Sequence, residues 1–160
     1  MRGPIVVGAN GSDLSRLAIE EATVIAKGTG LSLVVAFVRH LPLAGLGAIA
    51  TSGMSVAVAN EILDAEQAIV EAESIAIVGS TSVRWSLEVC TGEPATELMR
   101  IARELDADTI VVAGKRHGAI GGYLCSSVCT QLHHRWPWSL LVIHPRFEVS
   151  SWPTAGTVAP

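Results

Sequence analysis

Four short runs in the sequence are apolar at almost every position, and this feature limits the fold more than any other. The runs are PIVVGA, LSLVVAFV, TIVVA and SLLVI, at residues 4–9, 31–38, 109–113 and 139–143. A strand with one wet face alternates apolar and polar residues, whereas a strand covered on both faces is apolar throughout. We therefore predict four buried strands, and we place them in the centre of a sheet.

A fifth run, VRWSLEV at residues 83–89, has a different pattern. Its apolar residues alternate with Arg84, Ser86 and Glu88. This alternation indicates that one face is wet or that the strand lies at a sheet edge. We interpret it as an edge strand.

Helical patterns separate these strands. Ser12 and Asp13 suit the start of a first helix, which should end at the KGTG segment at residues 27–30. Asn60 suits the cap of a second helix, with an apolar stripe at Ile62, Ala65, Ile69, Ala72 and Ala76. Pro94 suits the first position of a third helix, and a fourth is expected from about Tyr123 to Arg135. Alternating strands and helices predict a parallel α/β sheet with helices on both faces.

Composition narrows the class of protein. The chain has 160 residues, 49% of them hydrophobic and 16% charged, which suits one globular domain and argues against disorder. A net charge of −4 without a basic block argues against nucleic acid as a partner. No apolar run reaches the length of a membrane span, and the first residues lack a secretory signal pattern. Three loosely spaced cysteines, Cys90, Cys125 and Cys129, suggest reduced thiols and a cytoplasmic location.

Two loops stand where a ligand would bind. In parallel α/β sheets, ligands lie beyond the carboxyl ends of the strands, where the strand order reverses. GANGS follows the first strand at residues 8–12, and GKRHGAIGG follows the fourth at residues 114–122. Glycines let backbone amides approach an anion, and a helix start adds partial positive charge. These two loops are therefore the candidate site.

The chain resembles the universal stress protein family from Pro4 to Pro145. Three blocks carry the resemblance: residues 5–22, beginning IVVGANGSD; residues 92–122, from GEPATELMR to GAIGG; and SLLVIHP at residues 139–145. The resemblance implies a Rossmann-like, five-stranded parallel sheet with strand order 3-2-1-4-5. It also implies one domain over residues 1–146, and we expect a tail at 147–160 that is disordered or exchanged with a partner.

Members of this family that bind ATP carry a glycine signature, and this chain has a damaged version. Gly114 matches the first glycine, but the next is missing because the loop is one residue short. Ser126 stands in place of the last glycine, while Ser127 matches the serine or threonine that follows it. Asn10 stands where the family has an aspartate after the first strand.

By resemblance, the end of strand two holds the base, and the loop after strand four faces the phosphates, together with Mg²⁺. Lys115 and Arg116 would add positive charge there. The alternative without a bound phosphate is that the glycines only permit a turn and that the Lys115 and Arg116 side chains are solvated. The predicted binding set is Gly8, Ala9, Asn10, Gly11, Val38, Gly114, Lys115, Arg116, His117, Gly118, Gly121, Ser126, Ser127 and Val128.

The resulting hypothesis is a regulatory stress-response module with a degenerate site for ATP or another adenine nucleotide. No residue set indicates fast catalysis, so slow ATP hydrolysis is the most that the sequence suggests. The family resemblance also implies a homodimer through the last strand, Ser139 to Ile143. The alternative is a nucleotide-free interaction module that acts through the dimer face and the loop from Leu41 to Ala59.

Overall fold

The structure is a computed structural model that describes residues 3–40, 56–114 and 127–145. Strands and helices alternate along this part of the chain. The strands are β1 (Ile5–Ala9), β2 (Leu33–Arg39), β3 (Trp85–Thr91), β4 (Thr109–Ala113) and β5 (Ser139–Ile143). The helices are α1 (Asp13–Thr29), α2 (Val56–Ile77), α3 (Pro94–Glu104) and α4 (Ser127–Arg135).

The five strands form one parallel sheet in the order β3-β2-β1-β4-β5, which confirms the predicted fold class. β1 occupies the centre, where Val6 pairs with Val34 of β2 and with Ile110 of β4. The chain leaves β1 in one direction toward β2 and β3, and later returns on the other side as β4 and β5. The strand order therefore reverses between β1 and β4.

The core has two layers, one on each face of the sheet. Val7, Val35 and Phe37 belong to the layer that α1 and α2 cover. Val6 and Ile110 belong to the opposite layer, which α3 and α4 cover. Successive strand residues point to opposite faces, so both kinds of position are apolar when both faces are covered. This explains the uninterrupted apolar runs.

The two edge strands of the sheet have different apolar patterns. β3 is an edge strand, as its alternating pattern predicted. The apolar pattern placed β5 in the centre, and this was wrong, whereas the order 3-2-1-4-5 implied by the resemblance correctly placed it at the other edge. Helices nevertheless cover both of its faces, since Leu140 packs into one layer and Leu141 into the other. A strand that is apolar on both faces is therefore a strand whose two faces are covered by helices. The pattern does not distinguish a central strand from an edge strand.

The helix starts were partly predicted correctly. Ser12 caps α1, with its Oγ accepting the Ser15 N–H at 3.2 Å, and Pro94 begins α3. Asn60 is not a cap, because the chain is already helical at Val56. The predicted loop from Leu41 to Ala59 therefore ends earlier, before Val56, and its residues 41–55, like the tail 147–160, lie outside the described residues.

The predicted buried stripe of α2 was also wrong. The side chains that α2 buries are those of Ala59, Leu63, Val70 and Ser74. Ile62 and Ile69, which the sequence pattern placed in the core, are 48% and 46% exposed. Ile62 is followed by Leu63, and Ile69 is followed by Val70. Because adjacent helix residues lie about 100° apart around the axis, these pairs form two apolar faces with the same spacing. The pattern alone did not show which one is buried.

Two residues near α4 complete the core. Cys129 is fully buried, where a cysteine packs as a small hydrophobe. Trp136 is also buried, and its Nε1 donates to the Ser139 carbonyl at 3.3 Å, while Trp138 stays largely exposed.

Phe37 offers a direct test of the layer under α1 and α2. Its ring is buried, and Phe37→Ala should lower the free energy of unfolding by about 3–5 kcal/mol because it leaves a cavity. Urea unfolding at neutral pH measures this loss. Val24→Ala on the exposed side of α1 is the control and should change stability by less than about 0.5 kcal/mol. Equal effects of the two substitutions would contradict the assigned core.

Candidate functional site

A pocket of about 340 Å³ lies at the carboxyl ends of β1, β2 and β4, at the point where the strand order reverses. This volume is near the lower end of the range for small-molecule sites, about 300–1,000 Å³. The loop from β1 to α1, the ends of the neighbouring strands and the starts of α3 and α4 form its walls. The lining residues are Gly8, Ala9, Asn10, Ser12, Leu14, Ser15, Ala36, Val38, Pro94, Leu98, Val112, Ala113 and Val128.

The pocket has an apolar wall and a polar rim. Small or branched apolar side chains, such as Ala36, Leu98 and Val112, line most of it. Asn10, Ser12 and Ser15 supply the polar side chains. A mostly apolar hollow with a few fixed polar groups suits a flat ring that carries hydrogen-bonding atoms on its edge.

Position 8 requires a residue as small as glycine, because α3 packs closely against the sheet at this point. A Cβ at this position would lie 3.0 Å from Leu98 Cδ1 and 3.4 Å from Val112 Cγ1. A larger residue would push α3 outward or fill the pocket. Gly8 therefore keeps the pocket open at the centre of the sheet.

Asn10 is held in one orientation by the turn that follows it. Its Oδ1 accepts hydrogen bonds from the Ser12 N–H at 3.2 Å and from the Ser12 hydroxyl at 2.7 Å. The backbone N–H can only donate, so the amide oxygen must face Ser12. The Nδ2 group has no hydrogen-bond partner in the described part of the chain. Asn10 therefore presents a hydrogen-bond donor at the rim.

Helix starts set the electrostatics of this edge. The N-termini of α1, α3 and α4 all follow strands that end here, and each carries partial positive charge. At α3 this charge is already balanced, because the Glu93 carboxylate accepts from the Thr96 N–H at 2.8 Å and from the Ala95 N–H at 3.3 Å. The first turn of α1 is satisfied by Ser12. α4 begins at Ser127, and the residues directly before it lie outside the described ranges.

The pKa of Glu93 records this arrangement. Partial burial alone would raise the pKa, but hydrogen bonds from Thr96, Ala95 and Gln131 outweigh burial and hold it below the ordinary value of 4.5. Gln131 lies on α4, so the same carboxylate joins the starts of two helices, with Gln131 Nε2 donating at 3.1 Å.

Gly114, the first glycine of the damaged signature, is required by packing. A Cβ here would lie 2.6 Å from both Val142 Cγ1 and His144 Cε1. Its N–H donates to the Ile143 carbonyl at 2.9 Å, and its carbonyl accepts from His144 Nδ1 at 3.1 Å. The loop after β4 thus starts pressed against the end of β5, whether or not a phosphate binds.

The structure brings five of the predicted site residues together in the pocket lining: Gly8, Ala9, Asn10, Val38 and Val128. Gly11, Gly114 and Ser127 lie nearby in sequence but do not line it. Gly11 has φ +74°, which explains this glycine by the turn into α1. The rest of the predicted set lies outside the described residues: Lys115, Arg116, His117, Gly118, Gly121 and Ser126.

Sequence analysis missed most of the apolar wall. Ala36 precedes Val38 by two residues and so faces the same side of β2, a signal that the alternation of a strand provides. Leu98 lies one turn after Pro94 on α3, and this placement required knowing how α3 lies on the sheet. Ser12 and Ser15 were visible as the start of α1, but not as lining of a pocket.

Two classes of site are absent from the described ranges. Residues 3–40, 56–114 and 127–145 contain no group of three or more His, Cys, Asp or Glu side chains arranged to hold a metal ion. Within the same ranges, no helix combines the length and apolar character needed to cross a bilayer.

A parallel sheet of this order, with a small pocket at its reversal point, defines a Rossmann-like α/β domain. The family model described as "Universal stress protein family" matches residues 1–144. The chain therefore belongs to the universal stress protein family, and it is a stress-response protein. No curated protein is similar enough in sequence to match it.

Solved structures share the fold. Universal stress protein UspA from Lactobacillus plantarum is 22% identical with a TM-score of 0.64, over 89% of this chain and 99% of that one. A universal stress protein in complex with cAMP is 22% identical with a TM-score of 0.53, over 90% and 98%. One from Archaeoglobus fulgidus in complex with dAMP is 18% identical with a TM-score of 0.52, over 88% and 97%. These similarities establish the fold of the chain.

Replacing Glu93 tests the joint between α3 and α4. Glu93→Gln should lower the free energy of unfolding by about 1 kcal/mol at pH 7, the usual value of an N-cap. Because the folded-state pKa of Glu93 is depressed, its contribution is present above 4.5 and disappears as the pH falls through the folded pKa.

Urea unfolding at several pH values measures this difference. The wild type and Glu93→Gln should converge in stability well below pH 4.5, whereas they differ at pH 7. Glu21→Gln, on an exposed position of α1, is the control and should have little effect at either pH. A Glu93→Gln deficit that is independent of pH would refute the capping role.

Proposed function

We propose that this universal stress protein is a regulatory module whose pocket binds an adenine nucleotide. The observation that carries the proposal is the apolar pocket at the reversal point, with the fixed amide donor of Asn10 at its rim. The complexes of two relatives with cAMP and dAMP support the same class of ligand. The proposed role is sensing rather than fast catalysis, with slow ATP hydrolysis as the most that we expect.

The pocket fits the base better than the phosphates. An adenine ring needs apolar contact on its faces, which Val38, Leu98 and Val128 offer. The phosphates would extend toward the start of α4 and the loop before it, where Gly118, Ser126 and Ser127 follow Lys115 and Arg116 in the sequence. We assign Mg²⁺, where it takes part, to the phosphates rather than to a cluster of protein side chains.

Asn10 should weaken the site relative to members of the family with an aspartate. A carboxylate at this position would use one oxygen for the Ser12 N–H and offer the other to a hydroxyl or amino group of the ligand. Asn10 already uses its only oxygen, so it offers a neutral donor instead. The difference is the loss of a charge-assisted hydrogen bond, which is about twice as strong as a neutral one.

Isothermal titration with ATP and Mg²⁺ tests this assignment. We expect a saturable heat for the wild type and about tenfold tighter binding for Asn10→Asp, which corresponds to about 1.4 kcal/mol. Val128→Trp should abolish the heat, because the indole would fill the pocket at the start of α4.

Val24→Trp, on the exposed face of α1, is the matched control and should bind ATP like the wild type. A melting temperature that rises with ATP concentration for the wild type, and not for Val128→Trp, provides a second measurement. The absence of any heat with ATP, cAMP or dAMP would reject the nucleotide site. The remaining function would then be the nucleotide-free interaction module.

We further propose a cytoplasmic homodimer that forms through β5. Cys90 is a free thiol, which suits a reducing compartment. Ser139 donates its N–H to the Asp108 carbonyl and Ile143 accepts from the Gly114 N–H, so the odd-numbered residues of β5 bond to β4. By alternation, the backbone groups of Leu140 and Val142 point to the free edge, where a second β5 strand would satisfy them.

Val142→Pro removes one outward N–H without removing a bond to β4. It should convert a dimer to a monomer in sedimentation equilibrium, with a smaller loss of stability than Leu141→Pro, which breaks the β4 ladder. A wild type that sediments as a monomer at all concentrations, or a Val142→Pro dimer of unchanged affinity, would contradict this interface.

A further inference from the structure

The outer face of α2 carries an apolar stripe that is largely exposed in the described part of the chain. Val58, Ile62 and Ile69 are 41%, 48% and 46% exposed. The α2 stripe consists of Val58, Ile62, Ala65, Ile69, Ala72 and Ala76, all of them classed as exposed. The core of the domain is complete without it, because α2 packs on the sheet through a different face.

The spacing of the α2 stripe is that of a helix–helix seam. Its members follow one another at intervals of four, three, four, three and four residues. This alternation is the heptad pattern, in which apolar residues of one helix insert between those of another. The partner that fits the stripe is therefore a helix with the same apolar spacing.

Charge decides which kind of helix fits. α2 carries Glu61, Asp64, Glu66, Glu71 and Glu73, and no Lys, Arg or His between residues 56 and 77. At about 100° per residue, Glu61, Asp64 and Glu71 lie on one side of the stripe and Glu66 and Glu73 on the other. Only Asp64 of these makes an ion pair within the described ranges, with Arg39 at 2.7 Å. The stripe is thus apolar with an acidic border on both sides.

We propose that the α2 stripe docks a basic amphipathic helix of a partner protein, with apolar residues at heptad spacing and Lys or Arg beside them. A second copy of α2 has the apolar pattern but the wrong charge, since its carboxylates would face carboxylates. Anionic lipid surfaces fail for the same reason. Opposite charges beside an apolar seam set partner choice in helix pairs.

Two synthetic helical peptides serve as probes, each three heptads long with Leu at the seam positions. One has Lys beside the seam and the other has Glu at the same positions. In fluorescence anisotropy at physiological salt, the Lys peptide should bind at least tenfold more tightly than the Glu peptide. Its affinity should fall as salt rises, because Glu61, Asp64 and Glu71 are exposed.

Two double variants separate the apolar and the charged contributions. Ile62→Ser with Ile69→Ser should weaken the Lys peptide at least tenfold, while Val24→Ser on α1 should not. Glu61→Lys with Glu71→Lys should reverse the preference toward the Glu peptide. Glu21→Lys places the same kind of charge reversal on α1, away from the stripe, and should keep the Lys preference.

Four results would overturn the proposal. The first two are equal affinity for both peptides and no binding of the Lys peptide. The third is self-association of the wild type that the Ile62→Ser, Ile69→Ser variant abolishes, because the α2 stripe would then bind a second copy of this chain. The fourth is a large drop in melting temperature for that variant but not for Val24→Ser, which would show that the chain itself covers the stripe. None of these readouts involves ATP, so they are independent of the nucleotide proposal.

Discussion

The pairing of β1 with β2 on one side and β4 on the other is the constraint on which the rest of the structure depends. A strand with neighbours on both edges and helices on both faces has no wet side, so it must be short, apolar and made of residues that fit a pleated sheet. The connections that leave the carboxyl ends of β1 and β4 run in opposite directions, toward β2 and β5. The hollow between these connections is the pocket. Gly8 keeps the pocket open, because a side chain at this position would press against Leu98.

Much of this fold could be predicted from the sequence, because covered strands and capped helices depend on local patterns. The ends of β1 and β4, the cap at Ser12 and the start of α3 at Pro94 came from such patterns. Two predictions were wrong for the same reason. An apolar pattern shows that a face can be buried, but it does not show which neighbouring element buries it. β5 is apolar on both faces although it is an edge, and α2 is apolar on a face that its own sheet does not use.

The candidate site shows the same division between local and long-range information. Asn10 and Val38 could be predicted from the sequence, because Asn10 follows β1, Val38 lies near the end of β2, and both match positions in a known family. Leu98 and Val112 were not, since their place in the pocket depends on how α3 and β4 meet around β1. The turn conformation accounts for Gly11, and packing against His144 and Val142 accounts for Gly114. These two glycines are therefore no evidence for a phosphate, and the case for a ligand depends on the pocket and on Asn10.

The pocket and the α2 stripe meet at one turn. A Cβ on Gly11 would lie 3.4 Å from the Glu66 carbonyl and 3.5 Å from Ile69 Cγ2, so the chain between Asn10 and Ser12 runs directly over α2. A ligand bonded to Asn10 and a helix docked beside Ile69 would therefore both lie next to this turn. Energetic coupling needs an element that both sites bias, and this turn is the element that both would touch. Gly11 lies in the left-handed region, where an L side chain would be strained, so the turn keeps its shape only with glycine at that position.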